Sequence, residues 1–544
     1  MDKIIGTLLK NRGIKTAKQK KEFFNPPRPE KIKIQELGIR KQELEKAVRR
    51  IKQAIKNKEK IIVYGDYDVD GICATAILWE TLHKLGANTL PYIPSRFTEG
   101  YGLNIESIKR LKEEDSKLGL IITVDHGIVA HEKIDFAKEL GVDVIIVDHH
   151  ELGKTKPKAC AVVHTQRISG SGVAWVLVRA LKSQNLDDYL GLVALGTVAD
   201  VLPLIGINRS FVIYGLEILR KTTRSGIRAL CQEAALDQKE IDTFHIGFIL
   251  APRLNSMGRV EHAMDSLRLL CTRDKVRAQE LAGKLGRTNR LRQEKTDYAV
   301  NHVNENFAPR WTNGSLPKLI FVHHESYEEG VIGIVAGRLV DQYHRPSIVV
   351  SYGEEFSKGS ARSVQGVNII EVIRRSGGKL LVNAGGHPMA AGFTIKTKNL
   401  EILSKRLSKL AEKEIKDEVL VKNTRVDCKL SFGDISEELY KELAKFAPFG
   451  YGNPEPTFQT QGVLAKDARL VGRDKTHLKL VLSLPLSADS QGGPQFNAIG
   501  FKMGEWYKKI TPDKLFDVVY SITRDEWNGH SKLQLKLRGI KSYN

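Results

Sequence analysis

Residues 63–78 read VYGDYDVDGICATAIL and place three carboxylates, Asp66, Asp68 and Asp70, at alternate positions between an apolar run and a helix-like pattern. Alternate side chains of an extended chain point to one side, so three like charges face one another and need either water or a cation between them. Further along, Asp125 in TVDHG, Asp148, His149 and His150 in VDHH, and Asp200 in GTVADVLP each close an apolar segment in the same way. Taken singly, an Asp after a strand is more often a turn or helix cap than a ligand, and Asp-His-His reads as a polar loop. Four separate apolar segments that each end in a potential ligand favour a shared metal site instead. Carboxylates mixed with imidazole suit manganese or a similar divalent ion. Two such ions about 3.5–4 Å apart support an in-line displacement at phosphorus.

Such a site needs a frame that brings distant segments to one edge. From Lys41 the spacing Leu44, Val48, Ile51, Ile55 predicts a helix that leads into the strand IIVY. The runs LGLIITVD and VDVIIVDHH alternate with helical patterns such as IVAHEKIDFAKELG, which predicts a parallel sheet with crossover helices. The acids then fall at the carboxyl ends of strands, where open α/β sheets bind ligands. The first forty residues, Lys-rich with NPPRPE, read as a basic arm that wraps the body or stays partly mobile. Beyond Val201 the texture is helical, and LAGKLGRTNRLRQEKTDYAV predicts a long exposed connector. A second α/β unit starts near Leu319, with LIFVHH and PSIVVSY around VIGIVAGRLVDQY, and closes with GGHPMAAGFTI. From about Val421, short alternating runs such as HLKLVLSL, FDVVYSI and KLQLKLRGI predict a small β-barrel. The expected fold class is α/β: two α/β lobes joined by a long helix, then a C-terminal barrel. The division is 1–40 arm, 41–208 first lobe, 209–305 helical connector, 306–416 second lobe and 417–544 barrel.

A chain of 544 residues carries about three or four domains. Its 85 Lys and Arg against 64 Asp and Glu give a formal charge of +21, which favours a polyanionic partner such as nucleic acid or an anionic membrane surface; plain solubility is the bland alternative. Five scattered cysteines without a CxxC pair indicate neither a zinc ribbon nor a disulfide framework and fit a reducing cytoplasm. No basic-apolar-small pattern opens the chain. The longest apolar stretch, GLVALGTVADVLPLIGI, is broken by Asp200 and Pro203, so it reads as buried core rather than a membrane span.

DYDVDG, VDHG, VDHH and TVADVLPL resemble the four metal motifs of the DHH phosphoesterase superfamily, and SKGSARS with GGHPMAAGF resembles its DHHA1 companion domain. PRLNSMGR (residues 252–259) and FAPFGYGNPEP (residues 446–456) are similar to segments specific to the RecJ branch, the single-stranded-DNA exonucleases. The resemblance runs from about Lys41 to Gly539. It implies that Asp68, Asp70, Asp125, His149 and Asp200 are shared ligands of two ions, Mn²⁺ or Mg²⁺. Asp66 is then an additional carboxylate at the first ion, Asp148 a support, and His150 a group facing the scissile phosphate. In the second lobe Ser360, Arg362, Gly385, Gly386 and His387 would meet the substrate, the glycines admitting backbone close to phosphate. Arg96 in IPSRFTEGYG and Arg259 would be further phosphate contacts.

Three positions depart from the family pattern. Tyr64 stands where other branches carry a ligating His, and His164-Thr165 replaces an Asn-Pro. Glu328 and Glu329 stand where a His-Pro is common, which places two acids near a strand expected to approach DNA. None removes a ligand. The implied activity is 5'-to-3' exonucleolytic hydrolysis of single-stranded DNA to 5'-mononucleotides in repair and recombination, with the barrel as an oligonucleotide-binding (OB) fold and the lobes as a clamp too narrow for a duplex. The resemblance further implies a monomer with no membrane partner, and a RecQ-type helicase and a single-strand-binding protein as partners. Two readings stay open beside it. One is a DHH phosphodiesterase acting on short oligoribonucleotides or cyclic dinucleotides, which would need no tracking barrel. The other is a binding relative that has lost catalysis, against which the intact motifs argue.

Overall fold

The computed structural model describes residues 1–311, 316–485, 494–511, 514–527 and 530–542. Five parallel strands form the first sheet: β1 (Lys60–Gly65), β2 (Asn88–Tyr92), β3 (Leu118–Val124), β4 (Asp143–Asp148) and β5 (Ala161–His164). Their order is β2-β1-β3-β4-β5. The central strands are buried on both faces, which is why they read as continuous apolar runs. Ile61, Val63, Leu120, Ile122, Ile145 and Val147 face a core shared with helices Lys41–Lys56, Val69–Lys84, Gly170–Ala180 and Leu186–Ala199. Ile62, Tyr64, Ile121, Val144 and Ile146 face helices Ile105–Glu114 and His131–Glu139. Because β2 and β3 flank β1 on opposite sides, the chain reverses its winding between β1 and β3, and a crevice opens there at the carboxyl edge.

Within the stretch read as a helical connector, helices Gly206–Leu219, Ser225–Glu233, Ala251–Val260 and Met264–Cys271 lie against the first lobe, with Phe211, Ile227, Leu254 and Leu267 in the same core as the first sheet. The bridge between lobes is the 32-residue helix Lys275–Asn306, started by the Asp274 side chain on Arg277 N. Ala278, Ala282 and Leu285 pack into the first core, while Ala299, Val300 and Val303 pack on Ile320, Val322 and Val335 of the second lobe. That lobe holds β6 (Ile320–His324), β7 (Ser347–Ser351), β8 (Phe356–Arg362), β9 (Leu381–His387) and β10 (Ala390–Lys396), ordered β6-β7-β8-β10-β9.

The third sheet contains β11 (Cys428–Lys429), β12 (Phe458–Val471), β13 (His477–Ser483), β14 (Gln495–Gly500), β15 (Phe516–Trp527) and β16 (His530–Ser542). Pairing of β12 with β15 closes strands β12 to β16 into a barrel. The N-terminal arm is packed at both ends. Its helices Asp2–Asn11 and Ala17–Phe24 bury Ile5, Leu8, Leu9 and Phe23 among Phe432, Leu439 and Phe446 in the barrel's core cluster. Beyond them, Pro26 O and Pro27 O accept from Tyr214 Oη and Ser210 Oγ, and Leu37 O accepts from Thr165 Oγ1 of the first lobe. No helix among the described residues is long and apolar enough to cross a membrane.

Candidate metal and phosphate site

All eight acidic and imidazole residues singled out in the sequence meet at the carboxyl edge of the first sheet. Asp66 follows β1. Asp68 caps helix Val69–Lys84, its side chain accepting from Gly71 N at 3.1 Å, and Asp70 lies in the first turn. Asp125 follows β3 with a left-handed backbone, φ 66°. Asp148 ends β4, and Asp200 caps the C-terminus of helix Leu186–Ala199. Asp70 is held by Gly170 N at 2.6 Å and Ser171 N at 3.0 Å, at the N-terminus of helix Gly170–Ala180, where free amides and the helix dipole favour an anion. A Cβ on Gly170 would stand 2.3 Å from Asp125 Oδ1 and one on Gly196 2.1 Å from Asp70 Oδ1, so glycine is required at both places.

Donor atoms fall into three overlapping groups, each within 4.8 Å: Asp66-Asp68-Asp125, Asp70-His149-Asp200 and Asp125-His149-His150. His149 Nε2 lies 3.1 Å from Asp125 Oδ1, 3.5 Å from Asp200 Oδ2 and 3.9 Å from Asp70 Oδ2. Asp125 Oδ1 and His149 Nε2 are buried without a hydrogen-bond partner. Burial, with Asp68 beside it, raises the Asp66 carboxyl; burial and Asp70 raise Asp68; burial and the charges of Asp70, Asp68 and Asp66 raise Asp125. Burial and Asp70 push Asp200 up to about 8. So many buried acids stay ionised at neutral pH only if cations lie among them. Orphaned ligand atoms and mutual repulsion together fit divalent metal ions.

The DHH tripeptide divides its work. Asp148 Oδ2 accepts from Ile128 N, and Oδ1 accepts from His149 N, His150 N and His150 Nδ1 at 2.8 Å. Burial opposes ionisation of Asp148, yet the His150 ring and these amides hold its carboxyl well below the usual range. In return, against the burial that lowers it, the carboxylate raises His150 to about 9. His150 Nε2 faces the crevice, 3.5 Å from Tyr101 Oη.

Two departures from the family pattern acquire places in this frame. Tyr64 is fully buried under the opposite face of the sheet, against the rings of Tyr92 and His126. His126 joins none of the three groups: its Nε2 bonds Tyr64 O at 2.9 Å, and burial lowers its pKa to about 4. His164 Nε2 bonds His150 O at 2.7 Å and so buttresses the tripeptide from β5, while Thr165 anchors the arm.

Across the crevice lies a basic cluster. Arg96 stacks over Tyr67, its guanidinium 5.3 Å from the ring centroid. Burial and then the neighbouring Arg96, Arg362 and Arg292 lower Arg259 to about 10, and burial with Arg96 lowers Arg362. None of Arg96, Arg259 and Arg362 has an ion-pair partner among the described residues. Ser360 and Arg362 share one face of β8, next to the first turn of helix Ile332–Tyr343: a Cβ on Gly333 would lie 2.9 Å from Ser360 Oγ and 3.4 Å from Arg362 Nη2. A hydroxyl, three guanidinium groups without an ion-pair partner and a helix N-terminus have the chemistry that suits an anion. Gly385, Gly386 and His387 lie at the exposed end of edge strand β9; Gly385 faces open space, and His387 Nδ1 comes within 3.8 Å of Glu151 of the first lobe. The two acids of the third departure are neutralised, Glu328 by Lys295 and Glu329 by Lys358.

Comparison with known proteins matches residues 60–197 to the DHH family, N-terminal domain, 316–413 to the DHHA1 domain and 426–539 to the RecJ OB domain. The single-stranded-DNA-specific exonuclease RecJ of Bacillus subtilis is 37% identical over 550 residues, covering 98% of this chain and 67% of that protein. The chain belongs to the RecJ family. RecJ of Escherichia coli is 31% identical, over 91% of this chain and 90% of that protein. The structure of RecJ from Thermus thermophilus in complex with Mn²⁺ superimposes with a TM-score of 0.83 at 29% identity, covering 99% of this chain and 76% of that one. In this RecJ-family chain, sequence reasoning passed over three residues that the fold brings to the site. Tyr101 touches His150, Tyr67 underlies Arg96, and Asn255 Oδ1 accepts from Val69 N at 3.1 Å. Tyr101 and Asn255 lie inside family motifs, which was the available signal; Tyr67 lies between two of the acids.

Proposed function

We propose that this chain is an exonuclease that hydrolyses single-stranded DNA from its 5' end to 5'-mononucleotides, in DNA repair and recombination. One observation carries the reading: two adjacent donor groups, Asp66-Asp68-Asp125 and Asp70-His149-Asp200, joined by the 3.1 Å approach of Asp125 to His149 and faced by an unpaired arginine cluster. Asp66, Asp68 and Asp125 would hold one ion and Asp70, His149 and Asp200 the other. Two divalent cations, Mn²⁺ or Mg²⁺, supply charge neutralisation, an acidified water and a clamp on the reacting phosphoryl group.

The chain's own residues do the rest. The Asp148 carboxylate accepts the Nδ1–H of His150 and holds the ring as an imidazolium, so that its Nε2–H donates to the phosphate oxygen on which negative charge develops. Arg96, Arg259, Ser360 and Arg362 seat the terminal phosphate, and Gly385, Gly386 and His387 border the strand's path along β9. The barrel holds the strand beyond the crevice, through stacking and backbone charge. The part played by each residue, the five-part domain division, a cytoplasmic setting, action as a monomer, and a RecQ-type helicase and a single-strand-binding protein as partners belong to this same proposal.

Time-resolved digestion of 5'-labelled and 3'-labelled single strands with Mn²⁺ or Mg²⁺ tests it. Label should leave the 5' end as mononucleotide from the first time point, while the 3' label passes through progressively shorter strands. Early release of the 3' label, or internal cuts, would overturn the assignment.

A further inference from the structure

Asp200, like Asp125, differs from the other acids of the site. Asp66, Asp68, Asp70 and Asp148 each accept hydrogen bonds from backbone amides, whereas among the described residues the Asp200 carboxylate has only the His149 ring as a close donor neighbour. Its aim therefore depends on the backbone that carries it. Helix Leu186–Ala199 ends there in a two-bond turn, Val201 N to Val198 O and Leu202 N to Thr197 O, with Val201 at φ 57°. Glycine normally takes that left-handed position. A β-branched residue in it is strained and persists only where the surroundings impose it. Packing within the first lobe does not cover the turn, since Val201 is 62% and Ile205 43% exposed.

The restraint comes from the FAPFGYGNPEP segment that leads into the barrel. Leu204 N donates to Tyr451 O at 2.7 Å. A Cβ on Gly450 would stand 2.6 Å from Leu204 Cδ1, and one on Gly452, at φ 74°, 2.9 Å from Pro203 Cβ. The tip is rigid. Gly450 and Asn453 exchange backbone hydrogen bonds, and the Asn453 side chain donates to Phe446 O and Pro448 O while accepting from Arg12 Nε. Arg209, fully buried, donates to the carbonyls of Phe446, Ala447 and Pro448.

We infer that the linker tip, Gly450 to Gly452, is a positioning element for Asp200: by holding residues 203–204 it imposes the strained turn at Val201 and sets the carboxylate against His149. The barrel domain thereby completes the metal site as well as gripping the strand. This rests on the reading of Asp200 as a ligand.

The test is titration of Mn²⁺ into metal-free full-length protein, with free Mn²⁺ followed by electron paramagnetic resonance and folding checked by near-UV circular dichroism. Gly450→Ala and Gly452→Ala press on the contact from two sides, and each should weaken one of two ions about tenfold, or ~1.4 kcal/mol. Adding Val201→Gly to Gly450→Ala removes the strain and should restore affinity to within about threefold, which loss of general stability would not do. Asp200→Asn should lose that ion outright. If Asp200→Asn binds Mn²⁺ like wild type, the ligand reading fails. If it loses an ion while both glycine variants bind normally, or if Val201→Gly restores nothing, the positioning role fails and the ligand stands.

Discussion

The proposed terminal-phosphate pocket makes a quantitative prediction for Arg362→Lys. Arg362 projects from β8 beside Ser360 and the first turn of helix Ile332–Tyr343; its Nη1 donates to Ala361 O, which fixes the plane of the fork and leaves the other edge free. Lysine keeps the charge but loses the planar two-donor geometry. A hydrogen bond to a charged group contributes about 1.5–3 kcal/mol. At about 1.4 kcal/mol per decade, losing one such bond should lower kcat/KM on a 5'-phosphorylated strand about 10- to 150-fold. On a 5'-hydroxyl strand the bond is never made, so the loss should stay within about threefold. The assay is steady-state release of 5'-terminal nucleotide from the two substrates, for wild type and variant, at one fixed salt concentration. Equal losses on both would refute the pocket and leave Arg362 as a general backbone contact.

Asp125→Ala should lower turnover at least ~10³-fold while single-strand binding stays within a few-fold, because the donor groups serve chemistry and the grip is spread over other elements; near-normal turnover with Mn²⁺ in the folded variant would be fatal to the two-ion assignment. On the barrel, Phe501 is 54% exposed with the Lys536 ammonium 5.9 Å from its ring centroid. Phe501→Ala should cost about 1–3 kcal/mol in binding long strands, and Lys536→Ala should reduce the slope of log K against log salt by about 1, both read from salt-dependent fluorescence anisotropy. Neither should affect strands too short to reach the barrel. Arg209, with five backbone carbonyl acceptors and no carboxylate partner among the described residues, ties Phe23 of the arm and the 445–448 segment to the first lobe. Its replacement by Ala should cost about 3–5 kcal/mol, seen as an earlier first transition in urea and earlier proteolytic release of the barrel.

The sequence by itself determined which residue types carry the chemistry and where each sits within its own segment. Apolar runs ending in Asp66, Asp125 and Asp148 specify strands that terminate in acids, and the alternation in GSARS puts Ser360 and Arg362 on one face of a strand. These are local properties, set by the period of the backbone and by which residues water rejects. The order of the lobes and barrel was legible for the same reason, since each unit's hydrophobic pattern lies within its own stretch of chain.

Tertiary structure decided everything that depends on two distant segments meeting. The side chain of Asp70 is held by amides a hundred residues away, and Asp125 comes within 3.1 Å of His149 only because β3 and β4 are parallel neighbours beside the switch in winding. Burial, which raises the carboxyls and leaves ligand atoms orphaned, exists only once helices close over the sheet. The sequence left open whether the arm wraps the body or stays partly mobile, because its spaced apolar residues have no partner in their own stretch of chain; Leu8, Leu9 and Phe23 find theirs more than 400 residues on, beside Phe432 and Phe446. The strained turn behind Asp200 was invisible for a similar reason. A valine carries no sign of a left-handed backbone, and what imposes that conformation is a glycine-rich tip some 250 residues further along the chain.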